Sequence, residues 1–361
     1  MISGRLLSIV RCPDCRGMLQ RIEDTQTATV MKCAGCGRRY DSPPDYLDLR
    51  PLEKYAEQTK YLDEALHVDA RHERVSPPLL GSRVRNDMLR RFLAPRPGEV
   101  VLDLGCGSGR GLLWNRDLGA AMMGVDIAPF FSRDARQQVD LMLGDLRKLP
   151  FADATFDKAW SLDVLEHLSP EALAGMLGEA SRVLKPGGSL FVYTHVRKNA
   201  RIAAGLRWIN RLAGRLERRG LIDLRQEHLR KSDHLNPLRD VPHLQQVIAT
   251  AGFRIARIRF YTPIVGGFVE NILVRLAERV MARRAAARIA SPPSVATAGA
   301  ESTGGEDAAV REARAAAKER IARRGPTYLA LLTLSWVMKL DVLLFGRVRS
   351  GPFFALLVKE R

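Results

Sequence analysis

The feature that most constrains the fold is a short apolar run that ends in closely spaced glycines. The chain reads EVVLDLGCGSGR over residues 99–110, so that Gly105, Gly107 and Gly109 alternate with other residues directly after an apolar segment. Glycine is required where the backbone takes positive φ or passes within contact distance of a ligand. The pattern therefore predicts an α/β fold in which a buried strand leads into a ligand-binding turn and a helix.

Two further apolar segments predict the next strands of a doubly wound sheet. Residues 122–125 end at Asp126, 21 positions after Gly105, where a carboxylate can accept hydrogen bonds from ribose hydroxyls. Residues 139–143 lead to Asp145, which can accept the exocyclic amine of adenine. A dinucleotide-binding fingerprint would need glycine at position 110, and Arg110 stands there. The three strand ends thus predict a site for one nucleoside.

These pieces resemble class I S-adenosylmethionine-dependent methyltransferases. The matching segments are, in order, VLDLGCGSG, GVDIAP, GDLRKLPF, FDKAWSLDVLEHL, LKPGGSLFVYT and ATAGFRI. The resemblance implies a seven-stranded doubly wound α/β sheet whose last two strands form a β-hairpin, built from residues 81–264 and 351–361. It implies S-adenosylmethionine as cofactor, with binding residues at the strand ends: Asp103, Gly105, Cys106, Gly107, Gly109, Asp126, Ile127, Asp145, Leu146 and Leu162.

The resemblance also implies a role for several of these residues. Asp103 is expected near the methionine ammonium group and Asp126 at the ribose, while Ile127 packs on one face of the adenine. The segment beginning at Leu162 and Asp163 is expected to face the transferred methyl group.

Four of the five cysteines form two CxxC pairs near the N-terminus. Cys12 and Cys15 are separated from Cys33 and Cys36 by 17 residues, a spacing typical of a structural zinc site. We therefore expect a zinc ribbon over residues 1–50, with the metal supplying much of its folding free energy. Unpaired buried thiols or a redox pair are the alternatives. Cysteine usage of this kind fits a reducing compartment, and residues 1–10 lack the features of a signal peptide, which predicts a cytoplasmic protein.

Candidate catalytic residues follow the expected fourth and fifth strands. They are Asp163, Glu166, His167, His195 and His234, each able to remove a proton from an acceptor. The Asp-x-x-Glu-His pattern of the first three resembles the segment with which some ubiquinone-pathway O-methyltransferases bind a divalent ion, although those proteins carry glutamate at the position of Asp163. Capping of the next helix by Glu166 and His167 is the alternative, and a hydrogen-bonded rim position is the alternative for the other histidines.

Two insertions interrupt the expected core. Residues 197–240 carry twelve Lys and Arg against five acids and include an amphipathic pattern at helical spacing. Residues 265–350 begin with a second basic amphipathic pattern, continue through a Pro, Ala, Gly and Ser-rich linker at 291–307, and end with an apolar segment at 328–345. We expect that last segment to form a buried or interfacial helix, since its uninterrupted apolar run is shorter than the ~20 residues that span a bilayer. Residues 51–80 are expected to form a connector or lid.

A formal charge of +17 and a pI near 10.2 favour an anionic partner, either a membrane surface or a nucleic acid. Arginine-bearing helices beside an apolar helix favour a peripheral protein on the inner face of a membrane that methylates a lipid-like or other small-molecule acceptor, at oxygen more readily than at nitrogen or carbon. The alternatives are an RNA methyltransferase, suggested by the ribbon and the charge, and a non-catalytic zinc-ribbon adaptor. A helical cap or an oligomer interface would also account for the insertions, and the sequence does not define the oligomeric state.

Overall fold

A computed structural model of the chain describes residues 2–52, 75–197, 201–224, 234–280 and 325–360. The predicted linker at 291–307 and most of the predicted lid at 51–80, with its aromatic residues Tyr55 and Tyr61, lie outside the described residues. Part of the basic insertion, residues 198–200 and 225–233, lies outside them as well.

The N-terminal segment forms a small antiparallel sheet that is fixed to the main body. Helix α1 (Gly4–Ile9) precedes the strands β1 (Leu19–Asp24), β2 (Thr29–Cys33) and β3 (Arg39–Ser42). Ser3 donates its backbone N–H to the Asp140 carboxylate at 2.9 Å, and the Arg11 N–H donates to the Pro150 carbonyl at 2.9 Å. The fully buried side chains of Leu6 and Val10 belong to the same hydrophobic core as the central sheet. The ribbon is therefore an integral part of the fold.

A central sheet of eight strands, in the order β10-β11-β9-β8-β5-β6-β7-β4, carries the predicted site residues. Its strands are β4 (Leu47–Asp48), β5 (Val100–Leu104), β6 (Ala121–Asp126), β7 (Asp140–Leu143), β8 (Phe156–Leu162), β9 (Leu184–His195), β10 (Phe253–Phe260) and β11 (Pro352–Lys359). All pairs from β9 to β4 are parallel, and β11 is antiparallel to both of its neighbours. The predicted doubly wound sheet with a terminal hairpin is confirmed, and β4 adds an eighth strand that the sequence did not predict.

Helices cover both faces of this sheet, as the nearly continuous burial of β5 and β6 requires. They are α2 (Gly81–Leu93), α3 (Arg110–Asn115), α4 (Arg133–Gln138), α5 (Pro170–Val183), α6 (Ala203–Arg218), α7 (Val241–Thr250), α8 (Ile264–Phe268), α9 (Pro326–Met338) and α10 (Leu340–Phe345). Local sequence fixes several of their starts. Ser169 caps α5 through the Ala172 N–H with Pro170 in the first turn, and Asp240 caps α7 through the His243 N–H.

Both insertions leave the sheet at one edge, the end at which the parallel strands β5 to β9 finish, here called the carboxyl edge. The first insertion follows His195 at the end of β9. Pro352 at the start of β11 pairs with His195, and Phe353 pairs with Phe260 at the end of β10, so the second insertion begins and ends at the same edge. Ligands of open α/β sheets bind beyond this edge. The insertions therefore stand where an acceptor molecule would approach.

The second insertion ends in a helical rod, α9 followed directly by α10. This rod, Pro326–Phe345, is 20 residues long. Its most apolar 18-residue segment has a mean hydropathy of 1.7, and only 17% of that segment is buried. By length and composition this rod could cross a membrane. The short uninterrupted apolar run in the sequence therefore does not exclude a membrane-spanning helix.

Contacts along one side hold this rod against the core. The Ser335 hydroxyl accepts the Leu80 N–H at 2.6 Å, and Met338 is fully buried. Asp341, also fully buried, accepts the N–H groups of Val265 and Gly266 at 2.9 and 2.7 Å. Asp341 thus acts as a cap, from a distant part of the chain, for the unpaired N–H groups at the start of α8.

Replacement of Asp341 by Ala should lower the free energy of unfolding by about 2–4 kcal/mol, because two buried N–H donors lose their acceptor. Asp341→Asn, which keeps one oxygen acceptor, should lose less. Urea unfolding followed by circular dichroism measures both values, with exposed Glu360→Ala as the control. Equal stabilities for Asp341→Ala and the control would contradict the capping role.

Candidate functional site

The turn after β5 contains three glycines, two at positions with no room for a side chain and one that borders open space. A Cβ at Gly105 would lie 2.5 Å from Val164 Cγ2, and a Cβ at Gly109 would lie 2.6 Å from the Cβ of Ala135. Gly107 also has a positive φ, +53°, but a Cβ there would meet nothing within 4 Å. Packing therefore requires glycine at 105 and 109, whereas Gly107 borders open space in which a ligand can approach the backbone.

The ends of β5 and β6 are tied together across this turn. The N–H groups of Gly105 and Cys106 donate to the Val125 carbonyl, and the Gly107 N–H donates to Asp126 Oδ2 at 2.7 Å. The other carboxylate oxygen of Asp126 accepts the Ala128 N–H at 3.0 Å. These bonds hold the Asp126 carboxylate at the end of β6 beside the glycine turn, and its contact with a ribose stays a prediction.

Asp103 and Cys106 lie buried beneath the turn. Burial, with a further contribution from the negative charge of Asp126, raises the pKa of Asp103 to about 8. Burial likewise raises the pKa of the Cys106 thiol. A positively charged ligand group near Asp103 would favour its ionised form, which fits the ammonium contact implied for this residue.

The residues predicted to contact adenine, at the end of β7, are more buried than Asp126. Asp145 is buried, and its two oxygens accept hydrogen bonds from Arg147, including Nη2 to Oδ2 at 2.8 Å. An adenine amine would therefore have to share this carboxylate with Arg147. Leu146 is buried beside it, and Ile127 is partly exposed near the end of β6. The adenine contact of Asp145 stays a prediction.

Beyond β8, Asp163 adopts a left-handed backbone with φ +57°. Its Oδ2 lies 3.3 Å from Arg85 Nε on α2, and the guanidinium of Arg85 stands over the Tyr193 ring at 5.5 Å. Non-glycine residues in this conformation cost about 1–3 kcal/mol and concentrate at functional sites. Leu162, which precedes Asp163, is partly exposed at the end of β8.

Four of the predicted catalytic residues meet in one group, the acceptor-side cluster of Glu166, His167, His195 and His234. The imidazole rings of His167 and His234 lie 4.6 Å apart, and those of His195 and His234 lie 5.2 Å apart. Glu166 is buried, accepts the Thr194 hydroxyl at 2.8 Å and places Oε1 4.0 Å from His195 Nδ1. Burial, and secondarily the charge of Asp163, raises the pKa of Glu166 to about 8.

Arg85 and the aromatic groups beside it were missed by sequence reasoning. Tyr193 stacks on Phe354 with ring centroids 4.7 Å apart and lies 6.3 Å from Tyr261. Among 57 Lys and Arg residues nothing in the sequence distinguishes Arg85. Tyr193 could have been predicted as a site residue from the sequence, because its hydroxyl-bearing ring lies near the end of the buried strand β9, at the carboxyl edge.

The four N-terminal cysteines also converge. Their sulfur atoms all lie within 4.8 Å of one another, with Cys12 and Cys36 Sγ at 3.7 Å and Cys15 and Cys33 Sγ at 3.3 Å. Tetrahedral Zn–S bonds of about 2.3 Å place sulfur atoms roughly 3.8 Å apart. A Cβ at Gly17 would lie 2.9 Å from Cys33 Sγ, so the first knuckle requires glycine there. The cluster could therefore hold a metal ion.

Residues 102–192 match the family model described as a methyltransferase domain. The chain is 36% identical over 107 residues to sterol 4-C-methyltransferase of Caenorhabditis elegans, an alignment covering 27% of this chain and 31% of that protein. It is 41% identical over 104 residues to demethylmenaquinone methyltransferase of Corynebacterium kroppenstedtii, covering 28% and 44%. It is 33% identical over 134 residues to the protein named probable tRNA methyltransferase 9B of Mus musculus, covering 36% and 30%.

The matched domain contains the glycine turn, Asp126, Asp145 and two of the four residues of the acceptor-side cluster, Glu166 and His167. The chain therefore contains a methyltransferase domain of the class I, S-adenosylmethionine-dependent type over residues 102–192. It spans only 30–44% of the length of these three relatives, and their names cover sterol, quinone and tRNA acceptors.

Replacement of Gly107 by Val should abolish S-adenosylmethionine binding, because the new side chain enters the open space above the turn, and the positive φ should cost about 1–3 kcal/mol of stability. Isothermal titration calorimetry measures the affinity, and thermal unfolding checks the fold. Gly37→Val in the ribbon is the matched control, since Gly37 also has positive φ with nothing within 4 Å of its Cβ position. Unchanged affinity in Gly107→Val would place the cofactor elsewhere.

Proposed function

We propose that the chain transfers a methyl group from S-adenosylmethionine to an oxygen of an amphipathic, lipid-like small molecule at an anionic membrane surface. The observation that carries this proposal is an exposed apolar stripe on the α9–α10 rod, in the insertion that flanks the acceptor side of the carboxyl edge. The methyl group of a sulfonium is already activated, so the protein mainly has to orient the acceptor, exclude water and remove the acceptor proton.

The exposed stripe is large for a surface helix. The exposed fractions are 58% for Trp336, 77% for Leu343 and 62% for Leu344, and Leu329 and Leu340 are also exposed. Soluble proteins rarely leave such contiguous apolar surface uncovered unless it binds a partner or a membrane. Because the opposite side of the rod packs on the core through Ser335, Met338 and Asp341, we infer that the rod lies in the plane of the membrane and does not cross it.

Basic residues accompany this apolar surface. Helix α6, which packs against α8, exposes Arg207, Arg211, Arg215 and Arg218 beside Trp208, whose side chain is 61% exposed. Arg347 and Arg349 are exposed just after α10. Cations near an anionic leaflet contribute about 1 kcal/mol each. An arginine-bearing and tryptophan-bearing surface beside an apolar rod is the pattern expected of a peripheral membrane protein.

Oxygen is the favoured acceptor atom because the acceptor-side cluster can take a proton. During transfer the C–S bond breaks, a C–O bond forms, and the hydroxyl proton must move to a base. Glu166 and His195, with 4.0 Å between Oε1 and Nδ1, lie at the carboxyl edge where that base is needed. General-base assistance contributes about 10²–10⁴-fold to such reactions.

Membrane association should be strong for vesicles containing phosphatidylglycerol and weak for neutral vesicles. Trp336→Asp with Leu343→Asp should reduce the bound fraction on the order of 100-fold in partition coefficient, since two exposed apolar side chains lose their burial in lipid. Flotation on a sucrose gradient measures the bound fraction. Met18→Asp, which alters an equally exposed apolar side chain on the ribbon, should bind as the unaltered protein does.

Absence of flotation for the unaltered protein, together with RNA binding that weakens steeply as salt rises, would instead support RNA as the acceptor. In a second assay, the protein is incubated with lipid extracts and labelled S-adenosylmethionine. If the protein floats with vesicles but transfers no label to lipid, membrane binding is supported and a lipid acceptor is refuted.

We further propose that the cysteine cluster holds one structural zinc ion. Four thiolates leave no open coordination position, so the ion would stabilise the fold and take no part in methyl transfer. The N–H groups of Gly35 and Cys36 lie 3.3 and 3.5 Å from Cys33 Sγ, as expected for a metal-bound thiolate stabilised by backbone donors.

Replacement of both Cys15 and Cys36 by Ser should reduce bound zinc well below one per chain and lower the thermal midpoint. The side chains of both residues are exposed, so their replacement creates no cavity and the loss of stability reports the metal. The loss should amount to several kcal/mol, in keeping with the size of structural zinc contributions. Plasma emission analysis measures zinc and calorimetry the midpoint, with Met18→Ser as control. Unchanged zinc content would refute this site.

A further inference from the structure

Ligand atoms of three residues converge in the acceptor-side cluster. A carboxylate oxygen of Glu166 and ring nitrogens of His167 and His234 all lie within 4.8 Å of one another. Tetrahedral bonds of about 2.1 Å to a common ion place two ligand atoms roughly 3.4 Å apart. The longest separation, at most 4.8 Å, would therefore have to shorten by up to about 1.4 Å, a distance that rotation of the side chains can supply. His195 Nδ1, 4.0 Å from Glu166 Oε1, is a fourth donor within reach.

These donors come from three separate parts of the chain, and each part is held by contacts of its own. The Asn236 N–H donates to the Glu166 carbonyl at 2.9 Å, which brings the segment carrying His234 onto the loop after β8. Arg197, just beyond β9, donates from Nε to the Asn236 carbonyl at 2.5 Å and from Nη2 to the Leu235 carbonyl at 3.1 Å. Backbone bonds thus fix the position of His234 independently of its imidazole ring.

Two strained residues border the same cluster. Asp163 and Asn236 are non-glycine residues with positive φ, +57° and +48°, and they precede Glu166 and follow His234 closely in the chain. Such strain persists where the surrounding structure imposes it and accumulates at ligand sites. Glu166 is also 97% hidden from solvent, and a buried carboxylate is stable when paired with a cation or hydrogen-bonded. The Thr194 hydroxyl satisfies one oxygen, and the other faces the histidines.

We propose that Glu166, His167 and His234, with His195 as a fourth donor, bind one divalent transition-metal ion. Imidazole-rich sets containing one carboxylate suit ions such as Zn²⁺ or Mn²⁺, whereas Mg²⁺ and Ca²⁺ prefer oxygen ligands throughout. The first insertion supplies His234, so this site requires an element outside the matched methyltransferase domain.

Binding of the ion is independent of the function proposed above, but its use in the reaction rests on that function. A bound divalent ion would lower the pKa of a coordinated acceptor hydroxyl and orient its oxygen. Acceptors with an ionisable oxygen, such as phenols or enols with an apolar tail, are the class that such a site would select. With the ion bound, Glu166 and the histidines would act as its ligands in place of the general base proposed for the metal-free site, and the proton would leave to solvent or to a residue outside the ligand set.

The test is a titration with Mn²⁺ of purified protein that retains one zinc ion per chain after dialysis against EDTA, with free Mn²⁺ followed by electron paramagnetic resonance. Mn²⁺ is chosen because a four-cysteine site discriminates against it. One Mn²⁺ per chain is expected, and a tenfold excess of Mg²⁺ should not displace it. Glu166→Gln and His234→Ala should each weaken binding by at least about tenfold. His243→Ala, which alters a histidine on α7 outside the cluster, should leave it unchanged.

No Mn²⁺ binding by the unaltered protein, or equal binding by all variants, would overturn the proposed site. Displacement of Mn²⁺ by Mg²⁺ would overturn the assignment to a transition metal. Calorimetry with S-adenosylmethionine on the same samples separates the two proposals. Cofactor binding without Mn²⁺ binding refutes only the metal site, and Mn²⁺ binding with no methyl transfer to any lipid fraction refutes only the proposed function.

Discussion

The structure depends on the hydrogen bonds that join the left-handed glycine turn after β5 to the end of β6. Two N–H groups of the turn donate to the Val125 carbonyl, and the Gly107 N–H donates to the Asp126 carboxylate. This arrangement is possible only because Gly105 and Gly109 carry no side chain, since a Cβ at either position would collide with Val164 or Ala135. One turn therefore sets the spacing of β5 and β6 and the position of the Asp126 carboxylate, which is predicted to bind the ribose. Every other part of the site is arranged around that fixed centre.

The parallel strands then decide where the variable parts of the chain can act. A parallel sheet gathers its strand ends at one edge, so the insertion after β9 and the insertion between β10 and β11 both emerge beside the glycine turn. The first supplies His234 to the acceptor-side cluster, and the second supplies Ser335 and Asp341, which hold the apolar rod against the core. The predicted cofactor residues therefore lie at strand ends, whereas the acceptor-side cluster combines Glu166 and His167 after β8 and His195 at the end of β9 with His234 from the first insertion.

Sequence reasoning recovered the features that depend on short-range pattern. Such features are recognisable from residues close together in the chain, and the structure contains each of them: the glycine turn, the strands, the cysteine cluster and the helix of the first insertion. Features that depend on tertiary contact could not be predicted. No pattern near Leu47 and Asp48 predicts that two residues complete a sheet with Met142 and Leu143. Arg85 is one cation among many until α2 packs over Tyr193. The meeting of His234 with His167 likewise needs the fold of the insertion.

The short strand β4 makes the N-terminal ribbon a part of the central sheet. Its pairing with β7 covers an edge that would otherwise present unpaired N–H and C=O groups, and unprotected edges recruit strands from other molecules. A chain shortened to begin after the ribbon would lose this cover together with Leu6 and Val10 from the shared hydrophobic core. The ribbon therefore cannot be treated as a detachable accessory in designing shorter versions of the protein, and self-association is the failure to anticipate when it is cut away.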